Sequence, residues 1–161
     1  MNLTAHFTLE EMTRSQTATR NGYDEQFTPE ASIKQNLTDL CGKVLEAIHA
    51  ALEFKFSHNI AIHITSGYRC LRANHAIGGA ATSKHTKGQA ADIHVNEMTV
   101  EELYTFIKNS GIVYDQLIQE FGQWVHISYT ATGTNRQQNL RAIKVDGATK
   151  YIPDNDKGEI A

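Results

Sequence analysis

Residues 112–129 read IVYDQLIQEFGQWVHISY. Two runs rich in β-branched and aromatic residues, 112–120 and 124–129, flank Phe121-Gly122-Gln123, a three-residue connection with a glycine that suits a tight hairpin turn. Closing the hairpin over three residues sets Glu120 opposite Trp124 and Ile118 opposite His126. All four side chains then share one face of a sheet. Glu120 and His126 become diagonal neighbours, roughly 7–8 Å apart at the backbone. That gap can hold a water between an imidazole-held ion and a carboxylate.

Working outward, residues 90–95 read as a strand, and Thr99 with Glu102 makes a capping box that opens a helix through Asn109, stopped by Gly111. Residues 60–65 alternate and are rich in Ile, the pattern of a strand running into Ser66-Gly67-Tyr68-Arg69. Residues 74–88, with three glycines, read as a loop. Thr28-Pro29-Glu30 suits a helix start, and Ile33, Leu37, Leu40, Val44, Ile48 and Leu52 recur at steps of three and four on one face. Thr8 and Glu11 form another capping box, and the polar stretch 13–27 reads as a surface segment wrapping the domain. Beyond the hairpin, residues 141–145 and 149–152 flank Asp146-Gly147, a second turn signal. Helices and strands do not alternate in a βαβ rhythm. The expected fold is therefore α+β, a mainly antiparallel sheet packed against helices in a single domain over residues 1–153, with 154–161 a frayed polar tail.

A chain of 161 residues with 40% hydrophobic content can bury a core without disulfide staples. Its net charge of −3, with scattered basic residues, offers no footprint for nucleic acid. No run approaches the ~18 apolar residues of a membrane span, and the N-terminus lacks the basic start and apolar core of a signal peptide. The expectation is a monomer, cytoplasmic as synthesised. Cys41 and Cys70 belong to no metal-type pair and read as core thiols.

The chemistry centres on residues 83–92, SKHTKGQAAD, where His85 and Asp92 stand seven positions apart with Gly88 between them to turn the chain. If Asp92 lies on a strand and His85 reaches in from the preceding loop, both face one point. With His126 they supply three ligands, the number a catalytic zinc takes while leaving a position open for water. Glu120 would be the base that moves the proton, and Arg69 could grip a substrate carboxylate through its planar fork. Arg69 reads alternatively as an ion-pair partner of Asp115 or Glu120. Trp124 can serve as core and as a wall of the cleft. His94, two residues past Asp92, is a rival ligand, read here as a neighbour of the site. His63 and His75 read as strand-surface and loop residues, and His6, His49 and His58 as solvated ones.

The motifs SGYR at 66–69, SKHTKGQAAD at 83–92 and E-x5-H from Glu120 to His126 resemble the M15 peptidases, the zinc D-Ala-D-Ala carboxypeptidase group, whose fold family includes the hedgehog signalling domain. The likeness is strongest over residues 60–130, and HFTLEEM at 6–12 is similar to small bacterial and phage members. The resemblance implies His85, Asp92 and His126 as zinc ligands, Glu120 as base, Arg69 as substrate-binding and Ser83 as a substrate contact. Several family members place the glutamate three residues before the last histidine, whereas here the distance is six, as in the hedgehog domain and a subset of the peptidases. The implied activity is hydrolysis of peptidoglycan stem peptides, by a D,D-carboxypeptidase or a murein endopeptidase such as a phage or prophage endolysin. The alternative is a zinc-stabilised binding module without hydrolysis. A serine or cysteine hydrolase finds no support, because no nucleophile-elbow sequence is present.

Overall fold

The computed structural model describes residues 1–154. Its centre is a six-stranded sheet of β1 (His63–Ser66), β2 (Ala90–His94), β3 (Gln116–Glu120), β4 (Trp124–Ser128), β5 (Gln138–Val145) and β6 (Ala148–Pro153), in the order β1-β2-β4-β3-β5-β6. Every pairing is antiparallel except β3 with β5. The α+β expectation holds.

Alternation along the strands divides the sheet into two faces. Ala91, Ile93, Leu117, Val125 and Ile127 are buried in the main hydrophobic core. Their alternates Asp92, Ile118, Glu120, Trp124 and His126 point the other way. The core side is covered by α3 (Ala31–Leu40), which runs through a wide turn at Cys41–Leu45 into α4 (Glu46–Phe56), and by α6 (Val100–Lys108). Leu37, Leu40, Val44, Ile48 and Leu52 are fully buried. Successive steps of four residues overshoot an ideal α-helical turn by about 40° each. The π-type turn in the middle of the stripe takes up part of that drift.

Three local expectations are corrected. Helix α3 starts two residues late: Glu30 and not Thr28 occupies the N-cap, with extended backbone and no side-chain cap, and Pro29 precedes the helix. Residues 13–27 are not merely a surface segment. They contain α2 (Gln16–Asn21) and a 3-10 turn at Asp24–Gln26, with Thr13, Ala18 and Gln26 buried. The loop 74–88 overlaps α5 (Leu71–Ala76) and ends in a 3-10 turn at Lys84–Lys87. The expected capping boxes are both present, Thr8 with Glu11 on α1 (Leu9–Thr13) and Thr99 with Glu102 on α6.

The tail assigned to 154–161 lies outside the described residues except for Asp154. That residue is not frayed: its carboxylate accepts from the Tyr104 hydroxyl at 2.7 Å, and its N–H donates to the Asn139 carbonyl at 2.8 Å. Cys41 and Cys70 are free and buried. Burial, with the charges of Glu46 and Glu11, pushes the Cys41 thiol up to about 12, so it is inert.

Candidate metal centre

His85 sits on the 3-10 turn at Lys84–Lys87, where Ser83 Oγ accepts from the His85 N–H at 3.3 Å. Two further bonds lock this turn to the SGYR segment. The Arg69 N–H donates to the His85 carbonyl at 3.0 Å, and His85 Nδ1 donates to the Gly67 carbonyl at 2.7 Å. The second bond fixes the tautomer, leaving the Nε2 lone pair aimed away from Gly67. Gly88 closes the turn in the left-handed region at φ +68° and sends the chain into β2.

Asp92 pairs with His126 across β2 and β4. On β3 and β4, Ile118 opposes His126 and Glu120 opposes Trp124, the register that a three-residue turn dictates. The three candidate ligands therefore converge as expected. His85 Nε2 lies 3.2 Å from His126 Nδ1 and 3.3 Å from Asp92 Oδ1, and His126 Nδ1 lies 3.0 Å from Asp92 Oδ1.

That triangle has the dimensions of a metal site. Ligands about 2.0–2.1 Å from a tetrahedral zinc stand roughly 3.3–3.4 Å apart. The edges here are close to that, all three residues are buried, and two nitrogens with one carboxylate oxygen are a zinc donor set. Burial alone would raise the Asp92 carboxyl, but the two imidazoles beside it hold it well below the ordinary carboxylate range. It is ionised and ready to ligate.

Glu120 Oε1 stands 3.5 Å from His126 Nδ1 and accepts from the Trp124 indole at 3.2 Å. Burial and the charge of Asp92 raise its carboxyl above the usual range, against the pull of His126 and Trp124. Trp124 thus orients Glu120 as well as lining the cleft. Arg69 is half-buried. Its Nη2 donates to Ser83 Oγ at 3.4 Å, and its Nε has no partner among the described residues. Among the described residues the ion-pair alternative does not form: Asp115 is gripped at two points by Arg136, at 2.9 Å each, and Glu120 Oε1 faces Trp124 and His126. Burial lowers the Arg69 pKa, while Asp92 and Glu120 favour its charged form. A guanidinium that lines the cleft beside the triad, with no ion-pair partner among the described residues, is suited to an anion.

Sequence reasoning missed Gln26. Its side chain donates to the carbonyls of Thr13 (2.8 Å) and Tyr68 (2.7 Å) and accepts from the Cys70 N–H (2.8 Å), so it pins both ends of the segment carrying Arg69. A polar stretch gives no sign of such burial, although an amide among Thr and Tyr residues is equipped for it. Gly67 is a second positioning residue, since a Cβ there would press on the Met12 carbonyl. Gly67→Ala is expected to cost about 1–3 kcal/mol of overpacking and to loosen His85 through the shifted Gly67 carbonyl. A thermal melt with metal analysis checks this, and an unchanged melt and metal content would show that the contact yields freely.

His94 does not join the triad; it stacks on His63 across β1 and β2 with ring centroids 4.9 Å apart. His75 lies on α5 and not in a loop. His49 is buried and not solvated: it bonds Asn59 Oδ1 at 2.7 Å and stacks on His6 at 3.9 Å. His6, Glu46 and His49 form a second cluster of possible ligands. There Glu46 already accepts from Thr4 Oγ1 and the His6 N–H and pairs with His6 Nδ1, at 2.7, 2.8 and 2.7 Å. Those bonds tie the N-terminal segment to α4.

The triad, Glu120 and Arg69 line a cleft of about 870 Å³, with Lys144 and Tyr151 also on its wall. Two imidazoles, a carboxylate ligand and a free glutamate at an open cleft are the equipment of a metal-dependent hydrolase. The model of the Peptidase M15 family matches residues 5–128, and the chain belongs to that family of metallopeptidases. The matched span holds all three candidate ligands, Glu120 and Arg69, and ends before β5. No match was found among curated proteins.

Proposed function

We propose that the chain is a zinc metallopeptidase that hydrolyses peptide bonds in bacterial cell-wall stem peptides, as a D-Ala-D-Ala carboxypeptidase or as a murein endopeptidase of the phage or prophage lysin kind. The observation that carries this reading is the buried His85–Asp92–His126 triangle with the Glu120 carboxylate 3.5 Å from one of its nitrogens. Bound zinc supplies a Lewis acid that polarises the scissile carbonyl and acidifies water. Glu120 takes the proton of the attacking water and passes it to the leaving amine, held in place by the Trp124 indole. Arg69, backed by Ser83, holds a substrate carboxylate so that the bond lies over the triad. All these groups come from one chain, so a monomer suffices. No helix among the described residues is long and apolar enough to cross a membrane.

The test is mass spectrometry of purified murein and free stem peptides after incubation with zinc-loaded protein, beside the Glu120→Gln variant. Fragments that appear only with the parent would establish the peptidase, with loss of a terminal D-alanine marking a carboxypeptidase and an internal cut an endopeptidase. An unchanged digest from zinc-loaded protein would overturn the wall-peptide reading in favour of another peptide or a zinc-held binding module.

A further inference from the structure

The hairpin of β5 and β6 lies beyond the family-matched span, yet it walls the same cleft. Its register explains how. Glu120 opposes Ala142, and Ala142 opposes Tyr151, so the phenol shares a face with Glu120 and only a methyl group stands between them. One row further on, Lys144 opposes Thr149. Its ammonium donates to Thr149 Oγ1 at 2.8 Å and stands over the Phe121 ring, 5.2 Å from the centroid. Phe121 in turn meets Trp124 edge-on, with centroids 6.0 Å apart. An aromatic ledge with a cation on it thus continues the catalytic floor outward.

The charge around this cleft is one-sided. Its lining carries Arg69, Lys84, Lys87, Arg136 and Lys144 against two carboxylates, Asp92 and Glu120. Arg136 is neutralised by Asp115. Among the described residues Arg69, Lys84, Lys87 and Lys144 have no carboxylate within ion-pair distance. The two cleft carboxylates are committed to the metal and the proton. What the lining leaves unmet is negative charge.

We propose that the β5–β6 hairpin forms an anion-recognition subsite, in which Lys144 and the Tyr151 hydroxyl receive a carboxylate of an extended peptide several residues from the cleaved bond. This rests on the peptide-cleaving reading of the cleft. Strands about 4.8 Å apart and residues rising about 3.3 Å put the Lys144 backbone roughly 16 Å from that of His126, two strands over and four residues along. The lysine stem covers part of that gap. The remainder corresponds to about three to five residues of extended peptide. Arg69 lies on the β1 side of the triad and Lys144 on the β5 side, so the two cations bracket the reacting bond and favour a peptide with acidic groups on both sides.

The experiment uses a stem pentapeptide with all its carboxylates free and derivatives in which each is amidated singly. Hydrolysis by zinc-loaded parent, Lys144→Glu, Lys144→Arg and Tyr151→Phe is compared with Lys150→Glu, whose residue pairs with Ile143 on the opposite face of the hairpin. Binding of the same peptides to Glu120→Gln is measured by calorimetry, with and without Lys144→Glu. Amidation of one non-terminal carboxylate is expected to raise KM for the parent about five- to tenfold, as one partly exposed charge-assisted contact would. Lys144→Glu should remove that discrimination or reverse it, because a carboxylate there repels the substrate's own, and the change should appear in KM. Lys144→Arg should restore it, Tyr151→Phe should weaken it, and Lys150→Glu should keep it. Equal handling of all the peptides by the parent, or discrimination surviving Lys144→Glu, overturns the subsite while leaving the peptidase standing. If the parent cuts no stem peptide, the proposed function fails. Calorimetry then still decides the subsite: binding without acid preference, or no binding, overturns it.

Discussion

Glu120→Gln is expected to lower kcat by about 10²–10⁴-fold, the usual worth of a positioned general base, while retaining metal and melting close to the parent. The substitution keeps the volume of the side chain and an amide oxygen that can accept the Trp124 indole bond. It removes the carboxylate that, among the described residues, stands beside the triad and can accept a proton. Because the role of Glu120 lies in proton transfer, KM should change little. Stability should stay within about 0.5 kcal/mol of the parent, since neither packing nor a buried ion pair outside the site depends on the charge. Stopped assays on a cleaved stem peptide, metal analysis and a thermal melt check all three parts. A Gln variant as active as the parent would remove Glu120 from the mechanism, whereas a variant that lost its metal would make the residue part of the binding shell.

The site was legible where local rules fix geometry. A three-residue turn sets the β3–β4 register, and the period of two then places Glu120, Trp124, Ile118 and His126 on one face, as found. Gly88 between His85 and Asp92 announced a turn that could bring them together, and it does. What stayed hidden depends on contacts between segments far apart in the chain. Nothing in the composition of 13–27 shows that Gln26 will be fully buried, because its three partners are backbone groups of Thr13, Tyr68 and Cys70. The parallel pairing of β5 with β3 was equally invisible, since alternation reveals a face but not a neighbour. That pairing carries Lys144 and Tyr151 to the cleft. His49 looked like any helix-surface histidine until His6 stacked on it and Asn59 took its ring nitrogen.

Metal removal should produce the largest effect of all, complete loss of turnover on chelation and recovery with zinc. Asp92→Ala should make that loss permanent. The Asp92 carboxylate sits 3.0 Å from His126 Nδ1 and 3.3 Å from His85 Nε2, and all three side chains are buried. Removing the carboxylate leaves two buried imidazole nitrogens 3.2 Å apart without the anionic partner that both contact. Breaking a buried pair in this way costs about 3–5 kcal/mol, or roughly 6–20 °C in melting temperature for a chain of this size. A ligand at a thousandfold excess over its dissociation constant adds about 4 kcal/mol to the folded state. The parent and Glu120→Gln should therefore melt well above their chelated forms, while Asp92→Ala should melt at one low temperature with or without zinc. The pattern also separates the two clusters of possible ligands. A zinc-dependent rise that survived Asp92→Ala but vanished in a His49→Ala variant would place the stabilising metal at His6, Glu46 and His49, on the far side of the core from the cleft. Loss of the rise in Asp92→Ala alone assigns the metal to the triad, where Glu120 can use it.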